Sequence, residues 1–249
     1  MSKTLGVLGG LGPAASVYFY RLLTEHTAAA RDQDHLNIVL ISGAEIPDRS
    51  EYIMGKSDRS PLPQMTDCVM RLAGAGAQLI AIPCNTAHYF FDELARVSPV
   101  PVLNIVRETV SLAATLGVRR LGILATTGTV LTGAYPQAAR EYGIECVMPD
   151  FTGQSALMSL IYDTIKTASA PDYTAFYEIA DDLMEKGCDA LILGCTELSL
   201  IPKDARYEAY PFIDSLLVLA ARAIVACGKT PCGFPEIYRS VTTPQSILT

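Results

Sequence analysis

Cys84 lies in LIAIPCNTAH (79–88) and Cys195 in LILGCTEL (191–198). Each closes an apolar run, and hydrogen-bonding side chains follow at once. A thiolate can remove a proton and a thiol can return one. Two cysteines on opposite walls of a cleft could therefore strip a proton from one face of a carbon and protonate the other face, which inverts the centre. Such acid–base work is most effective when the catalytic pKa values lie near the working pH. A cysteine at the carboxyl end of a strand, just before a helix, meets backbone N–H groups and a positive dipole end, which lower a thiol from about 8.5 toward neutrality. That placement predicts two lowered thiol pKa values.

The neighbours fit either chemistry or structure. Asn85, Thr86 and Thr196 offer donors to a carboxylate, or caps for the helices that follow. Glu197 is a further acid in a cap region. His88, four residues after Cys84, would share a helix face with it and reads more simply as a packed or capping residue. Cys68, Cys146, Cys188, Cys227 and Cys232 read as small buried hydrophobes.

Strands and helices must alternate to place these thiols. Short buried strands are expected at 4–8, 37–42, 78–83, 100–105, 121–125, 143–147 and 190–193, and helices at 14–30, 60–75 and 175–186. Features also recur in order. LGVLG from Leu5 returns as LGILA from Leu121, Cys84 as Cys195, and VLN ending at Asn104 as FID ending at Asp214. The pattern predicts an internal duplication in an α/β fold: two pseudo-symmetric domains, each a small parallel sheet flanked by helices. Residues 1–105 with 212–249 would form the first, carrying Cys84, and 106–211 the second, carrying Cys195. Ligands bind beyond the carboxyl ends of parallel strands, which puts the active site in the cleft between the two.

The turn Gly9-Gly10-Leu11-Gly12-Pro13 is no dinucleotide fingerprint, because Pro13 removes an N–H where a pyrophosphate cradle needs one. No P-loop pattern occurs. The turn's backbone N–H groups, Gly10's among them, could hold a carboxylate, and Thr126-Thr127-Gly128-Thr129 is its counterpart.

Composition excludes other classes. With half its 249 residues hydrophobic, the chain can bury a sizeable core. A net charge of -7 without a basic run disfavours nucleic acid and anionic membrane surfaces. No apolar run reaches membrane-spanning length, and no leader pattern opens the chain, so a cytoplasmic protein is expected. Seven cysteines without a C-x-x-C pair, and three scattered histidines, support neither a disulfide framework nor a zinc site.

At these motifs the chain resembles the aspartate/glutamate racemase superfamily, in its aspartate racemase branch. The resemblance rests on GVLGGLGPAAS (6–16), IPDRSEYI (46–53), IPCNTAHYF (82–90), ATTGT (125–129) and LGCTELSL (193–200). It covers about 4–228; the tail from 231 carries no motif. It implies racemisation that needs neither pyridoxal phosphate nor metal. Cys84 and Cys195 would be the acid and base, exchanging roles with substrate hand. Asn85, Thr86, Thr127 and Thr196 match positions that hold the α-carboxylate and amino group. Arg49 matches an arginine, and Lys166 a lysine, that bind the side-chain carboxylate. A dicarboxylic amino acid would be the substrate and a homodimer the assembly. Relatives specific for glutamate tend to carry an acid–serine pair after the first strand and a histidine after the second cysteine. Gly9-Gly10 and Glu197 stand there in this chain, which favours aspartate. A maleate-type cis–trans isomerase, a decarboxylase of the same superfamily and a non-catalytic two-lobed binder of small acids are the alternatives.

Overall fold

β1 (Leu5–Gly9) is buried along its whole length, as a parallel strand covered by helices on both faces must be. The structure, a computed structural model, describes residues 2–167 and 172–243. β1 is flanked by β2 (Ile38–Ser42) and β3 (Leu79–Ala81), both parallel to it, in the order β2-β1-β3. The second sheet runs β5-β4-β6-β7, also parallel throughout, with β4 (Arg120–Leu124), β5 (Glu145–Val147), β6 (Ala190–Leu193) and β7 (Phe212–Asp214). The fold is α/β with two small parallel sheets flanked by helices.

The repeat foreseen in the sequence extends to topology. β1 and β4 are the matching central strands, β3 and β6 their matching neighbours. The strand expected at 100–105 is reduced to a single parallel bridge between Ile80 and Val102. Pro99 and Pro101 lack the N–H a ladder requires. The matched bonds survive all the same: Ile80 N–H donates to Pro101 O at 2.9 Å, and Leu191 N–H to Pro211 O at 3.1 Å. Asn104 and Asp214 are equivalent in function. Asn104 accepts from Arg107 N–H, and Asp214 from Leu216 and Leu217 N–H, so each caps the helix that follows its sheet.

Those two helices, Ile105–Thr115 and Ser215–Ala226, carry the chain across. They pack on one another, and the second also packs on the helix Pro13–Glu25. One apolar cluster therefore joins Leu5 and Val7 of the first sheet to Leu121 and Ile123 of the second through Val110, Leu216 and Leu219. Burying each such leucine contributes about 1.5–3 kcal/mol. β7 starts at residue 212, where the first domain was expected to resume, and pairs with β6 of the second sheet. The helix expected over 14–30 stops at Glu25, after which Thr27 bridges Pro231. The tail over residues 231–243 is thus part of the fold: Phe234 stacks on His26, and the Tyr238 hydroxyl accepts the Asp214 N–H at 2.9 Å. Among the described residues, no helix is long and apolar enough to cross a membrane.

Candidate active site

Ile82 and Pro83 separate β3 from Cys84, and Gly194 separates β6 from Cys195. Both cysteines thus leave their sheets at the carboxyl end, at equivalent places, and both line one cavity. Leu11, Asp48, Arg49, Tyr162, Lys166 and Glu197 complete most of its wall. Its volume is about 10 Å³, room for about one water. A hollow of about 380 Å³ adjoins it, and Asp48, Arg49, Lys166 and Glu197 border both spaces.

The two thiols have different partners. Cys195 Sγ donates to Glu197 Oε2 at 3.0 Å. Burial pushes the Cys195 thiol well up, the Glu197 carboxylate adds to that, and the Lys166 charge opposes it. Burial likewise raises Cys84, where the Arg49 guanidinium is the largest opposing influence. The lowered pKa values expected from helix N-termini are therefore absent. The segments following the cysteines are short 3-10 turns, Thr86–Phe90 and Leu198–Leu200, rather than long helices. Their weak dipoles lose to desolvation. With both thiols neutral at pH 7.5, iodoacetamide should label exposed Cys232 first. Labelling of the buried pair should rise with pH, Cys84 ahead of Cys195. Mass-mapped alkylation across pH 7–10 checks this order; early labelling of Cys195 would contradict it.

His88 acts on the backbone. Its Nδ1–H donates to Cys84 O at 2.8 Å, and its Nε2 accepts from Ile105 N–H at 3.2 Å. Burial lowers its pKa and keeps the ring neutral. The imidazole braces the main chain of the Cys84 turn and has no bond to the thiol.

Asn85 and Thr86 tie the halves together. Asn85 Nδ2 donates to Ser215 Oγ at 3.0 Å, and the buried Tyr135 hydroxyl donates to Asn85 Oδ1 at 2.7 Å. The Thr86 hydroxyl lies 3.0 Å from that of Thr126 and 2.8 Å from that of Thr129. Thr196 Oγ1 donates back to Pro83 O at 3.2 Å. All three line the cavity. In the ATTGT turn it is Thr126 that reaches the cavity. Thr127 instead accepts from Gln154 Nε2 at 3.2 Å. Gly10 borders only the outer hollow, and its N–H is spent on Ser16 Oγ at 2.8 Å. That N–H is unavailable to a carboxylate, and Gly10's role is to let the backbone pass at φ +86.

The two cations stand at the boundary of cavity and hollow. Lys166 Nζ is 3.7 Å from Asp48 Oδ2 and 3.7 Å above the Tyr162 ring. Burial works against its charge, but Glu197 and further anionic neighbours outweigh that and its pKa rises. Arg49 differs from a free carboxylate fork. Its Nη1 donates to Ile46 O and Pro47 O at 3.3 and 3.1 Å, and its Nη2 to Leu11 O at 2.6 Å. Only its buried Nε lacks a partner. Sequence reasoning passed over Asp48, Tyr162, Ser50 and Tyr135. Asp48 was beside Arg49 in the quoted motif, and its cap of Glu51 N–H was a readable signal. The tyrosines carried none.

Two equivalent strand ends thus deliver thiols into one buried cavity flanked by cations. Residues 8–223 match the Asp/Glu/Hydantoin racemase family, and the chain belongs to it. Similar structures include the aspartate racemase of Picrophilus torridus, 34% identical with TM-score 0.81, the match covering 97% of this chain and 100% of that one. The broad specificity amino-acid racemase RacX of Bacillus subtilis (strain 168) is 25% identical over 225 residues, 88% of this chain and 96% of its own. A glutamate racemase of Persephonella marina is 28% identical over 185 residues, 68% of each chain.

Proposed function

We infer that this protein interconverts L- and D-aspartate by proton transfer between the α-carbon and two cysteines, without a cofactor. The observation that carries this reading is the pair Cys84 and Cys195, brought from matching ends of two sheets to one cavity. Likeness to an aspartate racemase at 34% identity supports the choice of substrate. Lys166 and the Nε–H of Arg49 suit a side-chain carboxylate. The hydroxyls of Thr126 and Thr196, free to rotate from their partners at Thr86 or Thr129 and at Pro83 O, suit the α-carboxylate.

Each turnover needs one thiolate and one thiol. The thiolate takes the α-proton and becomes S–H, while the electron pair passes into the α-carboxylate as an enediolate. The opposite thiol then protonates the other face and becomes the thiolate. The contacts support one distribution of resting forms. Cys195, whose S–H donates to a carboxylate, rests as the acid, and Cys84, beside a guanidinium, is the thiol more easily ionised. The α-proton is far less acidic than a thiol, so fixed donors in a dry cavity must stabilise the enediolate. The cavity is too small for an amino acid. Asp48, Arg49, Lys166 and Glu197 border both it and the hollow, so the way in for a substrate runs between them.

The test is polarimetry on pure L-aspartate and pure D-aspartate with reduced, metal-free protein, and on both glutamate enantiomers. Rotation should decay to zero from either hand of aspartate, with kcat/KM at least tenfold above that for glutamate. No decay with aspartate, or faster decay with glutamate, overturns the assignment.

A further inference from the structure

Glu197 is 4% exposed, and its carboxylate is only half used. Oε2 accepts from Cys195 Sγ at 3.0 Å, with Thr196 Oγ1 at 3.4 Å. Oε1 is buried with no hydrogen-bond partner. It lies over Gly12, where a Cβ would come within 2.7 Å of it, so a glycine there makes its room. A buried acceptor left unpaired is costly, and one aimed at a ligand space signals a missing donor. The residue borders both the cysteine cavity and the hollow outside it.

Among the described cavity residues, the other carboxylate is already committed. Asp48 accepts from Glu51 N–H at 3.0 Å and from the Tyr162 hydroxyl at 3.2 and 3.1 Å, and pairs with Lys166. The remaining charged groups are cations suited to carboxylates. An amino acid brings one group that none of these satisfies, a cationic ammonium with three donors.

We propose that Glu197 Oε1 receives the substrate's α-ammonium while Oε2 holds the Cys195 thiol. This deepens the racemase reading and rests on it. The two oxygens of one carboxylate then fix the amino group and the acid catalyst side by side, which brings the α-carbon against Cys195 Sγ. The same charge repels a diacid that lacks the ammonium. Glu197 thereby selects an amino diacid over its deaminated analogue, in a cavity whose cations would otherwise accept both.

The experiment is calorimetric titration of L-aspartate and succinate into wild type and Glu197→Gln, with KM and kcat measured for each aspartate enantiomer. Wild type should bind aspartate at least tenfold more tightly than succinate. In E197Q the preference should vanish through weaker aspartate binding, KM should rise at least tenfold for both enantiomers, and succinate should bind as well or better. Retained succinate binding certifies the fold of the variant. An unchanged KM, or an equal loss of both ligands, overturns the proposal. So does a wild type that binds succinate as tightly as aspartate, which needs no variant. If wild type binds aspartate with the expected preference but leaves its rotation unchanged, the racemase reading fails while the ammonium site stands.

Discussion

Serine at Cys84, or at Cys195, is expected to cut kcat for aspartate racemisation by about 10³-fold, with KM within about threefold of wild type. The substitution keeps the shape of the side chain and replaces an ionisable thiol by an alcohol that stays protonated at any working pH. Losing either member stops a cycle that needs both, so the double variant should be little worse than the singles. A buried cysteine acting only as a small hydrophobe would give a different result. Its replacement would lower stability and leave turnover in place. Cys84 and Cys195 are 6% and 5% exposed, so a modest loss of stability is also expected. Kinetics and thermal melting on the same preparations separate the two effects. Wild-type turnover in either single variant would remove that cysteine from the chemistry.

Alanine at Gly10 is expected to cost about 3 kcal/mol. The new Cβ would fall 2.5 Å from Gly43 N and 2.8 Å from Ala44 N, with φ at +86. These are backbone atoms, so no side-chain rotation relieves the clash. A cost of that size lowers Tm by roughly 6–12 °C for a chain of this length. The 43–44 segment leads directly to Asp48 and Arg49, so activity should fall along with stability. A glycine needed for a carboxylate-binding N–H would behave otherwise, raising KM at unchanged Tm. Differential scanning calorimetry of Gly10→Ala decides between these, and an unchanged Tm would refute the packing explanation.

The sequence carried the architecture well where the signal was local and repeated. LGVLG and LGILA became the two central strands, and the paired cysteines fell at equivalent strand ends, because apolar runs bounded by turns are written contiguously. The strand at 100–105 failed for a reason also written there, since two prolines within three residues forbid a ladder. The thiol pKa values were misjudged because burial is a property of the whole cleft. A helix dipole was inferred from local order alone, and short 3-10 turns stand in its place. Thr127 was expected at the ligand, and in the structure its neighbour Thr126 lines the cysteine cavity while Thr127 accepts from Gln154, a difference of one position that only backbone direction sets. Arg49 was expected to bind a substrate's side-chain carboxylate. In the structure three of its bonds brace the carbonyls of Leu11, Ile46 and Pro47, an arrangement no spacing rule reveals. Tyr135 and Tyr162 reach the site from helical segments of the second half, and only tertiary packing brings them there.

The most direct measurement of two-sided proton transfer is the isotope pattern at low conversion in heavy water. L-aspartate and D-aspartate are incubated separately, and the α-position of product and recovered substrate is read by NMR after chiral separation. With Cys84 and Cys195 on opposite faces, each new molecule of the other enantiomer should carry solvent deuterium, while recovered substrate keeps its protium. Deuterium entering recovered substrate as fast as product forms, or protium carried into product, would mean that a single group serves both faces, and the paired-thiol mechanism would be wrong.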